Sequence, residues 1–175
     1  MADPTPAGGV PAFDALPPAE AERRLLACCA APEFARRVAA GRPYGDRGRL
    51  LAAAEAAARE LGWPQVRAAL DAHPRIGDRP AGDGAESRWS RREQERAGRA
   101  GAAERDALAE GNRRYEERFG HVFLVCATGL TAGQVLDRLR GRLGNDEETE
   151  RKVVGAELAA IARLRVARLL DEETT

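Results

Sequence analysis

The sequence predicts an all-α fold, a single compact domain of about eight or nine helices. Three observations lead there. Apolar residues recur three and four positions apart through most of the chain, the spacing of one helix face. No segment shows the alternation of a half-buried strand. Helix punctuation also repeats, with proline or a short polar residue where a helical pattern begins and glycine where it ends. At 175 residues and 43% apolar content, the chain can bury one sizeable core.

The elements follow in order. Residues 1–12 hold little beyond Ala, Pro and Gly. They read as a disordered lead-in to a domain at 13–170, and 171–175 read as a flexible tail. Pro17 or Pro18 opens a helix through Cys29, with Leu25 and Leu26 on its apolar side. Pro32 opens a short helix that Gly41 breaks. Asp46 precedes an Ala/Leu-rich helix to about Leu61, and Gly62 ends it. Pro64 starts the next, which reaches about Ala72. Residues 77–87 carry Gly77, Pro80, Gly82, Gly84 and Ser87. They read as an exposed loop, a candidate active-site loop because it follows His73. Helices are expected from Ser90 and again near Ala102, the second ending at Gly120. Residues 122–126 are a continuous apolar run that periodicity assigns neither to strand nor to helix. Thr131 caps a helix to Leu143, Gly144-Asn145-Asp146 turns the chain, and a long last helix fills about 147–170.

Composition narrows the function. Charged residues make up 32% and cancel to a formal net charge of zero. A general nucleic-acid binder would show a basic excess. No stretch is long and apolar enough to span a membrane, and no secretory leader is evident. Cys28, Cys29 and Cys126 are odd in number and lack a C-x-x-C metal spacing. They read as reduced thiols in a cytoplasmic protein. No phosphate loop, dinucleotide fingerprint, serine elbow or metal-binding helix motif is present.

Function shows best where polar residues interrupt a good pattern. In the last helix Val154, Leu158, Ile161 and Leu169 share a face at about 100° per residue, and Arg165 falls in the middle of it. A buried guanidinium needs an anionic or carbonyl partner, which makes Arg165 structural or functional with equal weight. Asn112 sits inside the stripe of Leu108, Tyr115 and Phe119, where an amide more often braces a neighbouring loop than touches a ligand. His73 precedes Pro74, which biases it out of α geometry and so ends its helix. There the helix dipole favours the protonated imidazole. By itself the position fits a plain C-terminal cap better than a catalyst. His121, beside a glycine at a helix end, has less support. Ser90-Arg91-Arg92-Glu93 has the form of a capping box at a helix start. The same geometry would present the Glu93 carboxylate to a ligand hydroxyl, with Gln94 beside it.

In this order and spacing the motifs resemble the family of 2-oxo-4-hydroxy-4-carboxy-5-ureidoimidazoline (OHCU) decarboxylases of urate degradation. The likeness covers about 13–170. It rests on His73-Pro74-Arg75-Ile76-Gly77, Ser90-x-x-Glu93-Gln94, Asn112-x-x-Tyr115-x-x-x-Phe119-Gly120, Phe123-Leu124-Val125-Cys126-Ala127 and the terminal Arg165. Arg42-Pro43-Tyr44 resembles the family's early turn, and Asp14 stands where Asn is usual.

The resemblance implies an all-helical homodimeric carbon–carbon lyase with no cofactor and no metal. It implies conversion of OHCU to (S)-allantoin and CO2, the last step from urate to allantoin. His73, Glu93 and Arg165 are then the expected catalytic residues. Pro74, Ser90, Gln94, Phe123, Leu124 and Val125 are the expected substrate contacts, the last three through backbone groups. The partner is a small molecule, with no nucleic acid or membrane. Three other readings stay open: action on a related ureido or hydantoin acid, a helical interaction module that does not depend on His73, and a purely structural subunit of a urate-pathway assembly.

Overall fold

The computed structural model describes residues 9–78, 84–95 and 101–172. Among them the chain forms nine helices and no strand: α1 (Gly9–Ala15), α2 (Pro18–Cys28), α3 (Pro32–Ala40), α4 (Arg47–Arg59), α5 (Trp63–Leu70), α6 (Ala85–Glu93), α7 (Ala102–Phe119), α8 (Ala132–Arg142) and α9 (Glu147–Glu172).

Local chemistry sets most of the boundaries. Proline opens α2 and α3 at a position where its missing N–H costs nothing. Asp46 caps α4 by accepting from the Arg49 N–H at 2.9 Å. Thr131 and Gln134 satisfy each other's backbone donors at the start of α8. Gly120 ends α7 in the left-handed conformation, φ 71°.

Two apolar clusters fill the molecule. The larger is built on α9, whose Val154, Leu158, Ile161 and Val166 pack with α1 to α5. The smaller joins α7 and α8 through Leu108, Tyr115, Val135 and Leu139. Residues 122–127 run along their seam. Leu124 belongs to the larger cluster, Phe123 and Val125 to the smaller. The unassigned apolar run is therefore neither strand nor helix.

The early motif is a joint. Arg42 donates to the carbonyls of Ala39 (3.0 Å), Phe13 (3.0 Å) and Leu16 (2.6 Å), closing the ends of α1 and α3. The Asp14 carboxylate accepts from the N–H groups of Tyr44 and Gly45.

Four expectations change. Residues 9–12 belong to α1, where Val10 is buried, rather than to a lead-in; residues 1–8 lie outside the described part. Asp171 and Glu172 belong to α9 rather than to a free tail. They are held there by Arg47 and by the Trp89 indole. The loop after His73 is shorter than expected, since α6 starts at Ala85; residues 79–83 lie outside the described part. Ser90 does not start a helix. Gly84 is the N-cap of α6, and Ser90 and Glu93 occupy its last turn. The S-x-x-E pattern misleads because the real cap is a glycine with no side chain to read.

Candidate active site

His73 lies just beyond α5. Its N–H donates to the Leu70 carbonyl at 2.9 Å, and its ring Nδ1 lies 3.0 Å from the Ala69 carbonyl. A carbonyl can only accept, so Nδ1 carries the ring proton. Nε2 is then a lone pair. It is buried and has no hydrogen-bond partner. Burial, and then the nearby Arg165 cation, push the imidazole pKa down from 6.5 to about 4. His73 is therefore neutral at pH 7, and the protonated form expected from the helix dipole is corrected. The dipole effect is a surface-scale effect; removal from water outweighs it. His73 thus caps its helix through Nδ1 and leaves Nε2 without a protein partner.

Glu93 reaches the same place from the last turn of α6. A carboxylate gains nothing from that end of a helix, and arginines from α9 hold it instead. Its Oε1 accepts from Arg165 Nε and Arg168 Nη1, both at 3.0 Å, and its Oε2 from Arg165 Nη2 at 3.1 Å. Arg165 Nη2 also donates to Ser90 Oγ at 2.9 Å. Arg165 is 1% exposed, as its place in the apolar stripe predicts. Its fork is occupied by Glu93. Nη1 alone makes no hydrogen bond among the described residues, and it stands 3.9 Å from Glu86 Oε1. Burial raises the Glu86 carboxyl.

The loop carrying His73 is tied down on both sides. Asn112 Nδ2 donates to the Ile76 carbonyl at 2.9 Å, the bracing role its sequence position suggested. Gln94 Oε1 accepts from the Gly77 N–H at 2.9 Å. Arg75 forms a two-pronged pair with Glu116. His121 lies elsewhere, against Trp63 and Tyr115.

One small cavity collects the nine sequence-predicted residues: His73, Glu93, Arg165, Pro74, Ser90, Gln94, Phe123, Leu124 and Val125. Ile76, Ala127 and Ile161 complete the lining. Sequence reasoning missed Arg168. Its signal was available, because residues three apart on a helix share a face. Among the described residues the N–H groups of Phe123, Leu124 and Val125 donate to no protein acceptor. Also among the described residues, no three His, Cys, Asp or Glu side chains cluster as a metal site would need. The cavity thus offers one neutral base, one arginine-held carboxylate, one spare guanidinium donor and unpaired backbone donors along an apolar wall. That set suits a small, planar, amide-rich anion.

Comparison with known proteins points the same way. The sequence model of the OHCU decarboxylase family matches residues 14–167. The 2-oxo-4-hydroxy-4-carboxy-5-ureidoimidazoline decarboxylase of Amia calva is 32% identical over 144 residues, 80% of this chain and 81% of that protein. The uric acid degradation bifunctional protein TTL of Arabidopsis thaliana is 29% identical over 150 residues. This chain spans only 46% of that longer relative. A crystal structure of OHCU decarboxylase in the presence of (S)-allantoin superposes with TM-score 0.71 at 28% identity, covering 83% of this chain and 96% of the other. A crystal structure of (S)-allantoin synthase shares the fold, with TM-score 0.68 at 20% identity, over 93% of this chain and 54% of the other.

Proposed function

Because the chain belongs to the OHCU decarboxylase family, we propose that it decarboxylates OHCU to (S)-allantoin and CO2, with His73 as the proton acceptor. The observation that carries the residue assignment is the partnerless Nε2 of a neutral, buried His73 in the cavity shared with Glu93 and Arg165.

The substrate supplies its own electron sink. When the carboxylate leaves as CO2, the C–C electron pair enters the ring. The adjacent C=N nitrogen takes the displaced pair and a proton from solvent. Loss of the 4-hydroxyl proton and return of a proton to the ureido-bearing carbon give allantoin, with one proton consumed overall. The enzyme orients the ring, receives the hydroxyl proton and controls the protonated face.

The hydroxyl proton goes to His73 Nε2 rather than to Glu93. The Glu93 oxygens are already engaged, accepting three guanidinium hydrogen bonds, whereas His73 Nε2 has no protein partner. Glu93 instead orients a substrate hydroxyl or N–H. The substrate carboxylate, an anion beside the imidazole, raises its proton affinity in the complex. Arg165 contributes Nη1 as a single donor rather than a fork. The unpaired N–H groups of residues 123–125 receive the ring's carbonyl oxygens. Pro74, Ser90 and Gln94 shape the rest of the contact.

The reading includes one catalytic domain, extended to the α1 and α9 residues at its two ends, a homodimer and a cytoplasmic location. Three unpaired cysteines support the last, and among the described residues no helix is long and apolar enough to cross a membrane. Sedimentation of the purified protein reads the dimer. The activity is tested with OHCU generated in place from urate by urate oxidase and hydroxyisourate hydrolase. Ultraviolet decay of OHCU and optical rotation of the product should both accelerate on addition of this protein. Faster turnover of related ureido or hydantoin acids than of OHCU would contradict the substrate assignment.

A further inference from the structure

The proposed chemistry leaves one buried charged cluster unused, and it lies behind the wall made by residues 123–125. Glu150, near the start of α9, is 1% exposed. Its Oε1 accepts from the Tyr115 hydroxyl and from Arg142 Nε at 2.8 Å and Nη2 at 2.5 Å. Its Oε2 accepts from Asn145 Nδ2 at 2.8 Å. One arm of the cluster reaches out: Arg142 Nη1 donates to the Leu124 carbonyl at 2.6 Å. The same guanidinium lies over the Phe123 ring, 4.5 Å from its centroid. About two helical turns along α9 from Glu150, Glu157 Oε2 accepts from the Cys126 N–H at 2.7 Å.

These contacts fall on a segment that has no ladder of its own, since residues 122–127 form neither helix nor strand. Arg142 draws the Leu124 carbonyl one way and Glu157 anchors the Cys126 N–H. The Val125 N–H between them donates to no protein acceptor among the described residues. Stability alone does not call for such a device. A buried ion pair adds little over apolar residues of the same volume, because the charges must first leave water. What it does supply is a fixed position.

We infer that Arg142, braced by Glu150, and Glu157 are positioning residues that hold the backbone of residues 124–126 as a rigid wall against the planar substrate ring, and so govern which ring face is protonated. This rests on the decarboxylase reading. Loosening the wall should weaken ring binding and let the ring turn over, while His73 and Glu93 stay in place.

The test uses Glu157→Ala, Arg142→Met and Arg142→Lys with OHCU generated in place. Enantiomeric excess is read with enzyme in excess, so that unaided racemic decay is negligible. KM and kcat are taken from initial rates with substrate in excess and corrected for unaided decay, and the thermal midpoint is recorded for each. Wild-type enzyme is the control for the underlying reading: no acceleration toward (S)-allantoin there removes the decarboxylase assignment itself. With the control active, Glu157→Ala, at a half-buried position, should keep its thermal midpoint. It should raise KM about tenfold, the scale of one hydrogen bond, and lower enantiomeric excess, with kcat within about threefold of wild type. Arg142→Met should shift KM and enantiomeric excess further, and Arg142→Lys should recover part of both. Wild-type KM and enantiomeric excess in Glu157→Ala would overturn the inference, whether or not Arg142→Met folds.

Discussion

Two buried charge clusters face the same short backbone segment, and they differ in how complete they are. At Arg142 and Glu150 every strong donor and acceptor is matched inside the protein, by Tyr115, Asn145 and the Leu124 carbonyl. At Arg165 and Glu93 the pairing is equally tight, yet His73 Nε2 beside them has no partner, and Arg165 Nη1 has only a long 3.9 Å ion pair with Glu86. Both clusters satisfy the rule that buried charges are paired. Only the second leaves capacity directed at a cavity. The unfinished valence, rather than the buried charge, is what singles out the proposed site. The closed cluster reads as its support.

The largest effect should come from the unfinished valence itself. His73→Asn is expected to lower kcat by about 10²- to 10⁴-fold, the usual contribution of a positioned proton acceptor. The circular dichroism spectrum should be unchanged. Arg165→Met and Arg142→Met are expected to destabilise by similar amounts, about 3–5 kcal/mol each, because each leaves a buried carboxylate without its partner. Denaturant titration measures this. The two should part in the assay: Arg165→Met loses turnover through the displaced Glu93, whereas folded Arg142→Met keeps most of its kcat. Equal losses of kcat would erase the distinction between site and support.

pH separates the clusters more gently. The His73 pKa is depressed from 6.5 to about 4 by burial and by Arg165. The unfolded chain therefore takes up that proton first. The associated stability is fully present above about pH 6.5 and is lost as pH falls through 6.5 toward about 4. The acid limb of kcat/KM attributable to the free enzyme's imidazole should lie near pH 4. A limb at pH 6.5 would mean that His73 is solvated and ordinary. The smallest effect is expected for Arg168→Ala. Arg168 shares Glu93 with Arg165 but is 17% exposed. Its removal should cost about 1 kcal/mol or less of stability and only a few-fold in kcat/KM.

The helical architecture was readable because its signals are local. Pro18, Pro32, Asp46, Gly120 and Thr131 act within a turn of where they stand. Arg165 was readable too, since a charge in the middle of an apolar stripe shows at once. What could not be read depends on neighbours distant in the chain. Glu93 looked like the first turn of a helix and is in its last; its partners, Arg165 and Arg168, lie on α9. The neutral state of His73 follows from burial and from Arg165, neither of which its dipeptide with Pro74 encodes. The clamp from Arg142 to Leu124 joins α8 to an irregular segment that carries no periodic signal.

The chemistry turns on His73 Nε2. Stereospecific turnover of freshly generated OHCU by His73→Asn, at full enzyme excess and with the fold verified, tests it in one measurement. The expected result is allantoin formed about 10²- to 10⁴-fold more slowly than by the wild type, with enantiomeric excess falling toward racemic as unaided decay competes. A near-normal rate with (S)-allantoin as product would contradict the central role of that lone pair.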